Sequence, residues 1–491
     1  MAGVLGSVPS SGTAKVAPDL LRDRCYWDGV WRASSERRNV LNPSSGEIVG
    51  SVPCVSARDV EEAVASAHRA FLSWRAMLPR TRADVLLAWR DLMLKRQEDL
   101  AVLMTLEQGK PLAEARGEIA YGAEFVRWFA EEGGRLYGDV TPPHLPNRKM
   151  FVQREPIGVA ALVTPWNFPS AMITRKAAAA LAAGCTVVAA PSMETPLSAL
   201  ALAALAEEAG FPPGVFSVLT GAPETIVGTL CALPKVRALS FTGSTEIGRK
   251  LMAQCAPSVK RVSLELGGHA PFIVFADADI ELAAREAVAA KFTTGGQDCL
   301  AANRIYVQAP AHDAFRAAFV RAAAKLRVGD GMQADTDIGP LTNIAAVKKC
   351  SAQVRDALAK GARIELGGDP EIEGLFFPPT ILSDVTPDME IMCSETFGPV
   401  AAICAFEDEA SVVAAANDTE YGLVAYVFTK DLSRAHRVSD ALEFGMVAVN
   451  TAQITGAPIP FGGVKQSGLG REGSRYGVDE FTELKYICMA V

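Results

Sequence analysis

The sequence has few histidines and lacks the cysteine spacings that build metal sites. Five histidines are scattered along 491 residues, and ten cysteines never fall as CxxC pairs. No metal site and no disulfide framework is therefore expected, and the thiols are read as reduced. No dense Lys/Arg run offsets the net charge of −8, so the basic stripe that nucleic acid requires is missing. No uninterrupted apolar stretch reaches the roughly 20 residues of a membrane span. The longest candidate, 177–190, is alanine-rich and broken by Gly184, and reads as a buried helix feeding a strand. Residues 1–18 lack the basic start and apolar core of a secretory signal and read as a loosely ordered tail. There is no internal repeat and no low-complexity tract. These absences predict a cytoplasmic protein without membrane or nucleic-acid partners.

What remains is the composition of a globular enzyme, 49% hydrophobic and 21% charged. Its length implies two or three domains with cores large enough to need no staples. Amphipathic stretches at 57–74 and 80–107 come first, and strand and helix signals then alternate. Short apolar runs at 159–163, 186–189, 216–219 and 238–241 are separated by helical stretches at 176–183 and 198–209, the latter stopped by Gly210-Phe211-Pro212-Pro213. A second series follows Gly267. Its strand signals are 272–275, 305–307, 376–381, 400–406, 425–429 and 447–450; helices start at Ile280 and span 311–325, and 361–374 is turn-rich. This rhythm predicts two doubly wound α/β units with parallel sheets.

Four segments carry chemistry. Cys299 follows Gly295 and Gly296, which let the backbone approach a ligand and free its N–H groups. Glu265 lies between Leu264 and Leu266, where apolar neighbours raise a carboxylate toward general-base duty. Asn167 sits in the rigid Thr164-Pro165-Trp166-Asn167-Phe168-Pro169 loop, able to donate to a developing oxyanion. Thr242-Gly243-Ser244 follows an apolar run and opens a helix, offering its N-terminus to a pyrophosphate. Each alone has an ordinary reading: a core cysteine, a strand-end glutamate, a turn asparagine, a glycine turn. The spacing of the last is not GxGxxG.

Together, PWNFP, FTGSTEIG, LELGG, GQDC, ETFGPV and PFGGVKQSGLGRE resemble the NAD(P)-dependent aldehyde dehydrogenase superfamily from about Asp28 to Tyr486. PWNFPSAMITRK and CLAANRIYVQ are similar to its succinate-semialdehyde dehydrogenase branch. The resemblance implies a Rossmann-like cofactor domain (19–132 and 154–266), an α/β catalytic domain (267–470), and a small β-extension (133–153 and 471–491) joining subunits into a homodimer or homotetramer. It makes Cys299 the nucleophile and Glu265 the base for thioester hydrolysis, with an oxyanion hole from Asn167 and the Cys299 N–H. Lys176 and Glu472 would relay protons. Trp166 and Ser244 would touch the phosphates of NAD or NADP, Glu395 the nicotinamide ribose and Phe397 its ring. Thr164, Pro165, Ser192, Gly221, Thr242, Gly243, Gly248, Leu266 and Gly267 complete the implied cofactor contacts. Arg175, Phe168, Thr293, Asp298, Thr455 and Phe461 would line the aldehyde site. A thiolate, a carboxylate and an amide are also what thioester-forming aldehyde oxidation needs on chemical grounds. Competing readings are an ester or thioester hydrolase using the same thiolate, and a cofactor-impaired homologue kept for structure or binding.

The sequence departs from the family pattern in three places. Ala190-Pro191-Ser192-Met193 stands where Lys-Pro-Ser-Glu is usual, so both ribose-binding charges are missing; Glu194, one residue on, would point the other way. Thr293 replaces the second of two arginines that clamp a semialdehyde's carboxylate, a loss of about 1.5–3 kcal/mol. Succinate semialdehyde is accordingly expected not to be the best substrate, a longer, bulkier or less acidic aldehyde being preferred. Ala301 replaces a cysteine that would form a redox-switch disulfide, so no such switch is expected.

Overall fold

The structure is a computed structural model that describes residues 16–368, 372 and 374–491. Most of the expected tail (1–15) and part of the turn-rich segment (369–371 and 373) lie outside the described residues. Two large sheets form. The first has the order Gly468–Leu469, Arg261–Glu265, Val236–Thr242, Val159–Thr164, Thr186–Pro191, Phe216–Val218, Cys25–Trp27, Val30–Arg32, parallel at its centre with antiparallel edges. The second runs Arg363–Leu366, Thr380–Ser383, Val400–Phe406, Ala302–Gln308, Ala270–Val274, Val424–Phe428, Met446–Val449, and only its first strand is antiparallel. Helices cover both faces, each face with its own hydrophobic core, as parallel sheets require.

The expected α/β alternation is present, with corrections. The stretch 80–107 is two helices, Pro79–Lys95 and Gln97–Gln108, broken at Arg96, whose φ/ψ of −105°/20° leaves the helical basin. The turn-rich 361–374 contains the edge strand Arg363–Leu366, and the strand expected at 376–381 lies at Thr380–Ser383. The strand Gly468–Leu469, expected in the catalytic unit, adds to the edge of the first sheet beside Glu265. Helix Ala171–Ala183 is buried along its whole length and ends on Gly184 at φ +100°. Its small side chains let helix Leu112–Glu132 approach closely: a Cβ on Gly122 would stand 2.7 Å from Thr174 Oγ1. A separate three-stranded sheet (Thr482–Ala490, Arg148–Pro156, Asp139–Thr141) projects with exposed Tyr137, Val140, Leu484, Tyr486 and Met489.

Candidate active site

The parallel strands of the first sheet deliver their carboxyl ends to a cleft, where α/β folds place ligands, and segments that precede strands Ala270–Val274, Ala302–Gln308 and Val400–Phe406 of the second sheet close it. Pro165, Trp166, Asn167, Thr242, Gly243, Ser244, Leu266, Gly267, Cys299, Glu395 and Phe397 line a cavity of about 350 Å³. Eleven of the expected site residues thus meet on one wall system. Thr164, Ser192, Gly221 and Gly248 sit around it. The Ser192 N–H donates to the Thr164 carbonyl (3.0 Å), and Gly248 packs on Leu266, where a Cβ would collide. Met172, Ala345, Ala346 and Lys349 line the same cavity. Lys349 escaped sequence reading because it is one lysine of a pair on an ordinary amphipathic helix, Ile344–Ala359.

Cys299 is half-buried at the end of a loop whose backbone explains its glycines. Thr294, Gly295 and Gly296 have φ of +52°, +62° and +69°, and a Cβ on Gly296 would stand 2.3 Å from the Gly398 carbonyl oxygen. Gly268 lies against the nucleophile loop, its would-be Cβ 2.2 Å from the Cys299 oxygen, so the strand end bearing Glu265 abuts the cysteine. Burial pushes the Cys299 thiol well up, helped by Asp298 and Glu395, while Arg175 draws it down. Asn167 Nδ2 donates to the Gln297 carbonyl at 2.9 Å, which draws the amide to the nucleophile loop.

Glu265 is buried, and neither carboxyl oxygen has a protein hydrogen-bond partner. Burial and the nearby Glu472 raise its pKa well above the usual carboxylate range; Arg175 and Lys176 act oppositely. Behind it, Glu472 pairs with both Arg175 and Lys176. Burial lowers the Lys176 pKa, while the two cations hold Glu472 down despite its burial. A cavity of about 10 Å³, roughly one water, lies among these groups.

The aldehyde side is more mixed. Arg175 lies over the Phe461 ring (4.4 Å), and the Lys110 ammonium over Phe168 (4.1 Å). Asp298 caps the Leu300 N–H at 3.0 Å, and Thr455 is exposed. Thr293 is exposed and its hydroxyl donates back to the Ala289 carbonyl (2.8 Å), so it does not replace the missing guanidinium.

The cleft fits a dinucleotide. A Cβ on Gly267 would stand 2.9 Å from Glu395 Oε2, so only glycine leaves that wall clear. The hydroxyls of Thr164 and Thr242 are buried without protein partners. Ser244 caps helix Thr245–Cys255, whose N-terminus faces the cleft. Glu395 accepts from the Gly268 N–H (2.9 Å), and burial lifts its pKa to about 7. At the end of strand Thr186–Pro191, Met193 is buried with its sulfur accepting the Gly221 N–H (3.0 Å), and Glu194 pairs with Arg38 (3.2 Å). Among the described residues, no His/Cys/Asp/Glu group could hold a metal ion, and no helix is long and apolar enough to cross a membrane.

Fold and site together define an α/β dehydrogenase with a dinucleotide cleft and Cys299 on its wall, and the chain belongs to the aldehyde dehydrogenase family, which matches residues 31–487. It oxidises an aldehyde to the acid with NAD or NADP. Three relatives show how closely. The non-phosphorylating aspartate-semialdehyde dehydrogenase of Halomonas elongata is 54% identical, over 96% of each chain. The glutarate-semialdehyde dehydrogenase of Pseudomonas aeruginosa is 52% identical over 96% of this chain and 98% of its own. The crystal structure of succinate-semialdehyde dehydrogenase from Burkholderia pseudomallei superposes with a TM-score of 0.96 at 49% identity, covering 98% of this chain and all of that one.

Proposed function

We propose that Cys299 is the nucleophile, Glu265 the hydrolytic base, and Asn167 with the Cys299 N–H the oxyanion hole, acting on a semialdehyde or other medium-sized aldehyde. The observation that carries this is the convergence of Cys299, Asn167 and the glycine-lined cofactor wall on one cleft, with an unpartnered, buried carboxylate at the adjoining strand end. The Cys299 sulfur adds to the carbonyl carbon, and the alkoxide that forms is met by Asn167 Nδ2 and the Cys299 N–H. Nicotinamide dinucleotide, when bound, supplies the hydride acceptor. In its ionised form Glu265, made a stronger base by burial and by Glu472, takes a proton from water as the hydroxyl attacks the thioester carbonyl and the Cys299 sulfur leaves, and Glu472 and Lys176 carry the proton away.

The relatives act on aldehydes bearing aspartate, glutarate and succinate skeletons at nearly equal identity, so similarity does not choose among them. Arg175 is engaged by Glu472, and the Thr293 hydroxyl is bonded to the Ala289 carbonyl. These favour a longer or less acidic aldehyde than succinate semialdehyde. Ala190 and Met193 present no charge to the ribose, which supports acceptance of both cofactors. The domain limits of the resemblance (19–132 with 154–266, 267–470, 133–153 with 471–491), adjusted for Gly468–Leu469, are supported by the separate cores of the two sheets. The apolar residues exposed on the projecting sheet support a homodimer or homotetramer, and ten free thiols suit the cytoplasm.

Absorbance at 340 nm with an aldehyde panel and each cofactor tests the assignment. Cys299→Ala abolishes turnover. Glu265→Gln leaves a pre-steady-state burst of reduced cofactor with slow steady-state release of acid. Full steady-state activity in Glu265→Gln overturns the base, and a succinate semialdehyde kcat/KM far above all other aldehydes overturns the substrate reading.

A further inference from the structure

Helix Gln97–Gln108 ends on Gly109 at φ +94°, and the next ten residues run through the seam between the two sheets. The catalytic unit presses on this segment. A Cβ on Gly331 would stand 2.4 Å from the Lys110 carbonyl oxygen, and one on Gly339 would stand 2.0 Å from that of Gly109. The Leu112 N–H donates to the Gly331 carbonyl at 2.9 Å. Three charged residues four apart, Lys110, Glu114 and Glu118, reach from this segment to two different loops.

Lys110 Nζ, fully buried, donates to Glu118 Oε2 (2.5 Å) and to the backbone oxygen of Asn167 (2.7 Å). Glu118 Oε1 accepts the N–H groups of Ser170 (2.9 Å) and Ala171 (3.0 Å), capping the helix that follows the Asn167 loop. On the other side, both oxygens of Glu114 accept the Thr294 N–H (3.1 Å each), and Oε2 accepts its hydroxyl (3.3 Å). Thr294 is a β-branched residue held at φ +52°, a conformation that persists only when its surroundings impose it. Two of these charged groups are fully desolvated, an arrangement that gains little as stability alone, since an apolar replacement of the same shape is often neutral.

We propose that the Lys110–Glu118 pair and Glu114 are positioning residues that fix the gap of the oxyanion hole. One grips the loop carrying Asn167, the other the loop carrying Cys299, and both stand on one short segment. The proposal rests on the oxyanion reading above. None of the three touches the reacting atoms; they act through Asn167 and through the Thr294–Cys299 backbone. A misplacement of about 1 Å between such groups costs on the order of a hundredfold in rate.

The test is a double-mutant cycle on the full-length enzyme with Asn167→Ala, Lys110→Met and both together. Asn167→Ala lowers kcat by about 10²–10³-fold. Lys110→Met lowers kcat by about a hundredfold, with the KM for aldehyde and the Kd for NADPH, read by fluorescence, unmoved. The double variant is no slower than Asn167→Ala alone, because a positioning residue has nothing left to position. Losses that multiply in the double variant overturn the proposal. An Asn167→Ala enzyme with undiminished kcat would instead remove the oxyanion reading itself. Glu114→Gln, nearly isosteric and less buried, gives an independent arm if Lys110→Met fails to fold. It lowers kcat about tenfold at constant KM, and wild-type kcat in Glu114→Gln overturns the role of Glu114.

Discussion

Glu472→Gln isolates the electrostatics behind the site. Glu472 is the shared anion of Arg175 and Lys176, whose side chains are 2% and 1% exposed. Their other hydrogen-bonding side-chain partners include only neutral groups: Met172 Sδ at 3.1 Å and the Tyr121 hydroxyl for Arg175, and Ser240 Oγ at 3.1 Å for Lys176. An amide at position 472 therefore leaves two buried cations without an adjacent anion, a loss of about 3–5 kcal/mol by analogy with other broken buried pairs. That is about a fifth or more of the stability of an ordinary domain. Relief comes from Glu265, because Glu472 is the second cause of its raised pKa; without Glu472 it ionises more readily and supplies a negative charge nearby. The expected loss thus sits toward the lower end, about 3 kcal/mol. The pH dependence has a definite sign. Lys176 has a lowered pKa in the fold, and losing its carboxylate lowers it further. The unfolded chain then binds more protons between that folded value and the ordinary lysine value of about 10.4, so the variant regains stability as pH rises through this window. Urea unfolding of wild type and variant at pH 7 and pH 9 measures both effects. A second check is Lys176→Met/Glu472→Gln, which removes one orphaned cation and is more stable than Glu472→Gln alone. A variant within 1 kcal/mol of wild type at pH 7, or a double variant less stable than the single, would refute the reasoning.

Two further outcomes follow from the same geometry. Because burial, Asp298 and Glu395 all raise the Cys299 thiol, its alkylation by iodoacetamide at pH 7 is slower than that of a free cysteine, whose thiolate fraction there is about 3%. The rate still climbs above pH 9 and shifts to lower pH in Asp298→Asn; a plateau below pH 8 contradicts the upward shift of the thiol. Thr293→Arg, at the exposed end of helix Ile280–Phe292, adds a second guanidinium and lowers the KM for succinate semialdehyde about ten- to a hundredfold, corresponding to roughly 1.5–3 kcal/mol. Hexanal kinetics stay unchanged, and equal effects on both aldehydes would show that Thr293 does not face the substrate's acid group.

The sequence by itself determined the alternation of strands and helices and the family, and it pointed to residues that meet in the cleft, because these depend on local order: apolar runs, glycine pairs, and a cysteine after a glycine turn. It could also place Glu265 between leucines, but not Glu472, which adds to the effect of burial on it, nor Arg175 and Lys176, which oppose it. Only the tertiary structure decided which charges meet. Arg175 and Glu472 are separated by almost 300 residues yet share one buried pair. Lys110, Glu114 and Glu118 belong to no motif in the sequence; two of them are buried because the seam between the two units closes over that segment. Met193 and Glu194 likewise could be named from sequence, but the fold fixed one sulfur on the Gly221 N–H and the neighbouring carboxylate on Arg38. The physical reason is the same in each case. Hydrophobic period and turn chemistry are local and legible along the chain, whereas a polar or charged group's partner, and hence its pKa, is set by desolvation and by neighbours that folding brings from far away.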